Sequence, residues 1–304
     1  MKLREDIRKW RRKNTIGERI FDVFNFFFLL LIAFVSLFPF WQILAQSFNE
    51  PLDAMRGGIY FFPRVWDTVA YETVFKNEAI VNALLISILR TVIGTIVSIT
   101  VTSLLAYALS KPFFKSRKVL SVFCLITMFF SGGMIPTYIT ISELGLIDNF
   151  MVFILPSAVS VMNMIILKTF FENIPPAFEE AARVEGASWF RTFFTVVVPL
   201  AAPAIATVAL FFAVGQWSAW FDAYIYILDA DYLTPLQTLL MRIINQNTIS
   251  GSDITGSNTG GTITVTPEAI KNATIIISTI PIFLITPFVQ KYFVRGIMIG
   301  GVKE

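Results

Sequence analysis

The residues that can do chemistry in this chain are few, and one of them is a charge inside an apolar segment. Arg90 lies in a stretch from about Ile80 to Ser110 that carries no other charged residue. Ionisable residues within membrane-spanning segments are rare and commonly functional, so Arg90 is a candidate to line a polar path through a membrane. Two other interpretations stay open, namely a buried pairing with a helix carbonyl and a side chain that extends toward the outer water.

A second candidate group closes another apolar segment. Gly215–Asp222 combines the amide of Gln216 with the indole rings of Trp217 and Trp220. An amide hydrogen bonds to hydroxyl groups and aromatic rings stack on the apolar faces of sugars, so this segment predicts a surface that a carbohydrate can contact. Tryptophan is also enriched where helices meet the membrane surface, and this interpretation stays open as well.

The composition excludes several other kinds of chemistry. The chain has no histidine and a single cysteine, Cys124, which we interpret as a packing residue. A histidine-based catalytic triad is therefore excluded, and a zinc site of the usual Cys/His kind is not expected. No Gly-x-x-x-x-Gly-Lys-Ser/Thr segment occurs, so the chain lacks a P-loop to hold nucleotide phosphates. We expect it to be neither an enzyme nor a metal-binding protein.

The elements that must position these residues are long apolar segments. Hydrophobic residues make up 55% of the chain and charged residues 15%, whereas soluble domains carry about 25% charged residues. A helix of about 20 apolar residues is long enough to cross the hydrocarbon core of a membrane. The apolar windows predict an all-α membrane protein with six transmembrane helices, at about residues 21–47, 80–110, 119–141, 149–170, 193–221 and 268–290.

The basic residues predict how these spans are oriented. Most of the 24 Lys and Arg residues fall into four stretches, which are 1–20, 111–118, 168–191 and 291–303. Cytoplasmic loops carry such an excess, and an even number of spans puts both termini on one side. We therefore expect a basic cytoplasmic segment at 1–20, a transmembrane domain at 21–292 and a cytoplasmic tail at 293–304. The basic segment is interpreted as an orientation signal beside anionic lipid, not as a nucleic-acid site.

A polar stretch at residues 172–191, between the fourth and fifth predicted spans, is predicted to hold a short cytoplasmic helix. Pro175 and Pro176 suit a first helical turn. Glu179 and Glu180 follow early, where the helix dipole favours negative charge. The stretch is too polar to cross a membrane, so we expect the helix to lie across the cytoplasmic end of the spans.

The two faces of this predicted helix differ. Ala177, Ala181 and Val184 recur with helical spacing and form a narrow face that can seat closely in a partner's groove. Gly186 permits a sharp change of direction at the end of the helix. The opposite face carries polar residues for partner contacts, namely Glu179, Glu180, Arg183 and Glu185.

This stretch resembles the EAA loop of binding-protein-dependent ABC importer permeases. The likeness rests on Glu180-Ala181-Ala182, on Gly186 and on Pro199 near the start of the next span. The carbohydrate-type branch, which includes the maltose permeases, is the most similar, although it usually has Asp where this chain has Glu185. Further likeness to that branch lies in the run from Ile174 to Ser188, the run from Lys291 to Lys303, Asn82, and Gly132-Gly133-Met134-Ile135-Pro136.

The resemblance implies a type I ABC importer permease fold with a cytoplasmic EAA coupling helix. In that family the helix docks on a separate ATPase subunit and transmits its closure to the pore. The residues implied to carry this coupling are Glu179, Glu180, Ala181, Ala182, Arg183, Glu185, Gly186 and Ala187. ATP and Mg would be bound by the partner ATPase, and this chain would hold no cofactor of its own.

The resemblance also implies partners and a place in the bacterial cell membrane. We expect a second homologous permease subunit, two ATPase subunits, an extracytoplasmic solute-binding protein and surrounding lipid. A predicted external loop at 223–267 would contact the binding protein, although a plain mobile loop stays an alternative; its candidate residues are Ser250, Gly251, Ser252, Gly256 and Ser257. The transported solute would be a sugar or oligosaccharide, with oligosaccharides of plant or microbial polysaccharides, including uronate-containing ones, favoured. The chain would form half of the translocation path, for which Arg90, Gln216, Trp217 and Trp220 are the candidate residues.

Two other classes of function fit the residues less well. An ion-coupled carrier often places Asp, Glu or His inside the membrane, and the charge-free windows of the predicted spans contain none. An integral membrane enzyme needs a reactive cluster near the membrane, and the sequence offers no metal pair and no nucleophile motif. ATP dependence of uptake separates an importer subunit from a carrier.

Overall fold

The structure is a computed structural model that describes residues 16–245 and 265–301, with side chains described as far as Ile285. Within these residues the chain is helical, and an isolated antiparallel bridge joins Asn49 and Trp66. Short 3-10 helices occupy Phe150–Phe153 and Asp231–Leu233. The α-helices, in chain order, are α1 (Ile16–Ser47), α2 (Pro51–Ala54), α3 (Val69–Lys76), α4 (Glu78–Ser110), α5 (Arg117–Phe129), α6 (Met134–Glu143), α7 (Val161–Glu172), α8 (Pro176–Val184), α9 (Trp189–Thr192), α10 (Val198–Leu200), α11 (Ala202–Ser218), α12 (Phe221–Tyr226), α13 (Leu236–Asn245) and α14 (Pro267–Gly301).

The chain divides into two compact units, and the first comprises Met1–Tyr71 with Gly261–Ile276. Its helix α1 exposes most of its apolar side chains, as suits contact with lipid or with another subunit. After α1 the chain is fixed by Asn49, whose Oδ1 accepts backbone N–H groups from Arg64 and Val65 at 2.7 and 3.1 Å. Hydrogen bonds from Asn49 and Arg64 lower the pKa of Asp53. The turn is therefore organised around an ionised carboxylate.

The second unit comprises Glu72–Gly260 with Ile277–Glu304, and α4 is its central helix. It packs against α7 and α11. The buried face of α4 consists mainly of small residues at helical spacing: Ser87, Gly94, Ser98, Thr102 and Ala106. Small side chains let helix backbones approach closely within a membrane, where apolar surface alone does not drive helix association.

Apolar clusters lie at the two ends of this packing. One cluster joins the end of α4 near Leu109 to Phe171 at the end of α7 and to Phe193. The other joins Ile86, near the start of α4, to Phe153 and Ile227. Both ends of α4 are therefore fixed against neighbouring elements of the same unit.

Among the described residues, three helices are long and apolar enough to cross a membrane, namely α1, α4 and the first part of α14 as far as Ile285. Two further pairs pass the same test jointly but are bent, by 115° between α5 and α6 and by 89° between the Trp189–Leu200 segment and α11. Counting each bent pair as one span gives up to five.

The bends have local causes in the backbone. Gly132 and Gly133 separate α5 from α6, and Gly133 has φ +88°, a conformation that favours glycine. Before α11 the chain passes through a π-helical turn at Phe193–Val197. Pro199 and Pro203 follow this turn, and neither can donate the backbone hydrogen bond of a regular helix.

The stretch predicted as the fourth span, 149–170, is not a continuous helix. It begins with the 3-10 helix Phe150–Phe153, and regular helix resumes only with α7. Pro156 lies between the two and disfavours helical backbone at the residue before it. Pro156 therefore marks a break within this apolar window.

Candidate functional site

The buried charge of Arg90 is held by a closed set of hydrogen bonds within the second unit. Its Nη2 donates to Asp222 Oδ2 at 2.5 Å, and its Nη1 donates to Asp222 Oδ1 and to the Ala219 carbonyl, both at 3.3 Å. Nε and Nη2 donate to Gln216 Oε1 at 3.3 and 3.2 Å. The Phe153 ring covers one face of the guanidinium, 4.4 Å from its centre. A guanidinium has five N–H groups. The five hydrogen bonds described above therefore give each N–H group of Arg90 a partner inside the chain.

Gln216 connects this charge to the broken stretch that precedes α7. Its amide Nε2 donates to the Phe153 carbonyl at 3.0 Å and to the Ser157 hydroxyl at 2.8 Å. The same amide passes close to α4, because a Cβ placed on Gly94 would lie 2.8 Å from Gln216 Cδ. Glycine at position 94 is therefore what lets α11 bring the amide between Arg90 and the break.

The polar residues of α4 hydrogen bond to the same break. Ser98 Oγ donates to the Ser157 carbonyl at 3.1 Å, and Thr102 Oγ1 donates to the Ala158 carbonyl at 3.3 Å. Irregular backbone at membrane depth is tolerated where neighbouring side chains satisfy its freed groups. Ser98, Thr102 and Gln216 supply such partners, which gives a structural reason for the polar face of α4.

This geometry changes the interpretation of two residues predicted to line a path. Arg90 and Gln216 are 1% and 5% exposed, and their polar groups are occupied by partners in the chain. The Ala219 carbonyl that accepts from Arg90 lies just after the end of α11, and the other acceptors are the Asp222 carboxylate and the Gln216 amide oxygen. In this conformation Arg90 has no donor left for a solute.

The two tryptophans of the same segment differ in exposure. Trp217 is buried, and its indole N–H donates to the Ser278 carbonyl at 2.9 Å, so it ties α11 to α14. Trp220 is partly exposed and packs edge-on against Phe221 and Tyr224. Of the four predicted path residues, Trp220 keeps a surface that a solute can reach.

The predicted polar-loop helix exists as α8, with sharply defined ends. Pro176 occupies its first turn after Pro175, as the sequence predicts. At its C-terminus the Gly186 N–H donates to the Arg183 carbonyl and the Ala187 N–H to the Ala182 carbonyl, both at 3.0 Å. This pair of bonds forms a Schellman motif, and it requires the positive φ of +84° found at Gly186.

The exposed surface of α8 includes most of the residues predicted for coupling. Ala177, Ala181 and Val184 are exposed, with Val184 90% accessible. The other exposed positions of the predicted set are Glu180, Arg183, Glu185 and Gly186, whereas Ala182 and Ala187 are half-buried. A narrow face is therefore available for close contact with another molecule.

Glu179 differs from this prediction because it faces into its own chain. It is 7% exposed, forms an ion pair with Lys111 and accepts a hydrogen bond from the Tyr107 hydroxyl at 3.1 Å. The Lys111 ammonium also lies over the Tyr107 ring, 4.4 Å from its centre. The helix turns Glu179 inward because its cationic partner lies just after the last residue of α4.

The candidate residues for binding-protein contact, from Ser250 to Ser257, lie outside the described residues. The segment that precedes these residues is anchored by Asp148. Its Oδ1 accepts the N–H groups of Leu228, Asp229 and Ala230 at 2.7, 3.0 and 3.1 Å. These bonds, that from Ala230 foremost, lower the pKa of the Asp148 carboxyl. Asp148 thus fixes the turn after α6 to the turn after α12.

The chain was compared with known proteins. No protein-family model matches it. The polygalacturonan/rhamnogalacturonan transport system permease protein YtcP of Bacillus subtilis (strain 168) is 39% identical over 286 residues, which cover 94% of this chain and 99% of that protein. The chain belongs to the permease subunits of sugar ABC importers. The relatives are transporter subunits and not enzymes themselves.

Solved structures agree with this membership. A permease chain from a bacterial ABC transporter involved in the import of the acidic polysaccharide alginate is 30% identical, with a TM-score of 0.84 over 92% of this chain and 99% of that chain. A second chain comes from the alginate ABC transporter in complex with an alginate pentasaccharide-bound periplasmic protein. It is 16% identical with a TM-score of 0.56, over 90% of this chain and 93% of that chain, and supports the fold alone.

Sequence reasoning missed the partners of Arg90 and Glu179 in this permease. In the sequence, Asp222 stands out only as the end of an aromatic segment, and Lys111 only as one of the basic residues that orient the chain. The available signal was a charge at the boundary of an apolar window, which is costly unless paired. Tyr107 carried no signal, because an aromatic residue near the end of a span is common.

Proposed function

We propose that this permease forms half of the translocation path of an ATP-driven importer for uronate-containing oligosaccharides, and that α8 couples it to a separate ATPase subunit. Its expected partners are a second homologous permease, two ATPase subunits that bind ATP and Mg, and an extracytoplasmic solute-binding protein. It would lie in the bacterial cell membrane with both termini in the cytoplasm. The proposed organisation has six spans, with 149–170 crossing as a broken segment and the bent pairs crossing as one span each.

The observation that carries the coupling role is the shape of α8. Its exposed face combines Ala177, Ala181 and Val184, and small side chains permit close seating in a groove. Its C-terminus is fixed by Gly186, so the helix has a defined direction relative to the following chain. Exposed Glu180, Arg183 and Glu185 add charges that an ATPase surface can complement.

The proposed substrate class rests on the relatives. One is a permease of a polygalacturonan/rhamnogalacturonan transport system, and the similar solved transporter is involved in the import of the acidic polysaccharide alginate. Acidic sugars carry carboxylates, yet Arg90 is already neutralised by Asp222. We therefore propose that the path accepts these oligomers through aromatic contacts such as Trp220 rather than through a free cation at Arg90.

A single reconstitution tests this function. The chain is co-expressed with its neighbouring genes, and the tagged complex is purified in detergent. Retention of a second permease and an ATPase, followed by ATP-dependent uptake of oligogalacturonides into proteoliposomes with the binding protein present, supports the proposal. Uptake by the purified chain without ATP would instead establish a carrier and contradict it.

The external loop is tested in the same system. Deletion of residues 250–260 should weaken the stimulation of ATP hydrolysis by loaded binding protein, since this segment is proposed to contact it. A shortening elsewhere on the external side, within Gly57–Tyr60, provides the comparison. Unchanged stimulation in the 250–260 deletion would contradict a binding-protein contact at this loop.

A further inference from the structure

The structure assigns to Glu179 a role that its position in α8 conceals: with Lys111 and Tyr107 it forms an internal clamp that carries movements of α8 into α4. We infer that Glu179 is a positioning residue and not a contact to the ATPase. This inference rests on the proposed docking of α8 and adds to it the route by which docking reaches the spans. The clamp is defined as Tyr107, Lys111 and Glu179.

All three residues of the clamp are buried. Lys111 is 8% exposed and Glu179 is 7% exposed, and the Tyr107 hydroxyl donates to the second carboxylate oxygen of Glu179. The Tyr107 ring lies 5.0 Å from the Phe193 ring within an apolar cluster. A charge pair with so little access to water is screened weakly, so it resists separation more than an exposed pair does.

A second attachment runs in parallel with the clamp. The Arg183 guanidinium lies over the Trp189 ring, 3.7 Å from its centre, and Trp189 stacks on Phe113 with ring centres 4.4 Å apart. Phe113 lies three residues after the end of α4, so α8 is linked to the chain around the end of α4 directly through Glu179 and indirectly through Trp189. Two attachments fix orientation as well as position, which one alone does not.

The Arg90 network lies in the first half of the same helix. Arg90 and Ser110 both belong to α4, a continuous helix from Glu78 to Ser110. At 1.5 Å per residue they lie about 30 Å apart along its axis. A displacement of the clamp therefore moves a continuous helix that is bonded to Asp222 and Gln216 through Arg90.

The test compares Glu179→Gln with Glu172→Gln, whose exposed carboxylate lies 3.7 Å from Lys168. Each assembled complex, with its ATPase subunits and binding protein, is trapped with ATP and vanadate. Hydrogen–deuterium exchange is then measured for peptides of α8 and α4. In wild type and Glu172→Gln we expect both helices to respond to the trapped nucleotide. In Glu179→Gln we expect α8 to respond and α4 to lose most of its response.

Transport provides the second readout. Coupling free energies between sites commonly correspond to about 5- to 150-fold effects, so we expect at least about a fivefold loss of uptake per ATP hydrolysed in Glu179→Gln. The exchanged pair, Lys111→Glu with Glu179→Lys, restores an ion pair and should recover much of the α4 response. This rescue separates a coupling role from simple damage to the fold.

The outcomes distinguish the two proposals. If α8 responds and α4 still responds fully in Glu179→Gln, the clamp is wrong while the docking of α8 stands. If the exchanged pair assembles with its ATPase but leaves α4 silent, the clamp is also wrong. If α8 does not respond even in wild type, the proposed function fails, and the clamp fails with it.

Discussion

Arg90 and Asp222 form a two-bond ion pair between α4 and the start of α12, in which the guanidinium is 1% exposed and the carboxylate 27% exposed. The pair is therefore asymmetric in its access to water. Each partner is needed to neutralise the other, but only Asp222 can be hydrated if its partner is removed. This asymmetry gives a measurable expectation for the two deletions.

We expect Asp222→Ala to destabilise the purified complex more than Arg90→Met. Removing one partner of a buried ion pair costs about 3–5 kcal/mol when the remaining charge stays buried, which is the situation of Arg90 in Asp222→Ala. In Arg90→Met the remaining carboxylate is partly hydrated, so the cost is expected to be lower. The midpoint of thermal unfolding in detergent measures both.

The matched control is the exposed pair of Arg242 with Asp231, whose carboxylate side chain is 81% exposed. Exposed pairs contribute about 0–1 kcal/mol, so Arg242→Met should leave the midpoint nearly unchanged. Equal loss in Arg90→Met and Asp222→Ala would mean that the hydration of Asp222 does not matter and would contradict the expectation.

Gly94 and Gly215 provide a second matched comparison. Alanine is favoured over glycine in a helix by about 1 kcal/mol, so Gly215→Ala, which meets nothing within 4 Å, should be neutral or slightly stabilising. In Gly94→Ala the new Cβ would lie 2.8 Å from the Gln216 amide. That amide is held by Arg90, Phe153 and Ser157, so it cannot move without breaking the network. A lower midpoint for Gly94→Ala than for Gly215→Ala is the expected result, and the reverse order would contradict it.

The positions of the long helices could be predicted from the sequence. The windows at 21–47 and 80–110 correspond closely to α1 and α4, because an uninterrupted apolar run has few alternatives to a helix where backbone groups must bond internally. The short helix after Pro175 was also predictable from its prolines and from Gly186. These features depend on residues close together in the chain, and such short-range patterns can be recognised in a single sequence.

The breaks and the buried charges could not be predicted in the same way. Pro156 interrupts helix in 149–170, but whether a proline kinks a span or ends it depends on whether neighbours such as Ser98 and Gln216 satisfy the freed carbonyls. Glu179 faces inward because Lys111, which is 68 residues earlier, lies beside it. Pairings over such distances follow from packing, and one sequence does not carry them.

Gly186 is expected to tolerate substitutions according to their access to positive φ. Its φ of +84° is strained for any residue with a side chain, least for Asn and most for β-branched residues. The space around it is open, so backbone strain rather than collision decides the effect. Uptake per ATP hydrolysed should therefore be reduced least in Gly186→Asn, more in Gly186→Ala and most in Gly186→Val. The permease should still be present in the membrane in each variant. Normal coupling in Gly186→Val would contradict the role proposed for this end of α8.

Asp148 is expected to make part of the stability depend on acid pH. Its pKa is lowered by three backbone N–H groups, so its stabilising effect is complete above the ordinary value of about 3.9 and is lost as pH falls through the lower native pKa. Asp148→Asn keeps an acceptor oxygen and tolerates φ +53°, but it carries no charge. Its unfolding midpoint should lie below that of wild type at pH 7, and the gap should close toward pH 3. Asp53 also titrates but is common to both proteins, so it cancels in the difference. A gap that is the same at both pH values would show that the charge on Asp148 does not stabilise the two turns it joins.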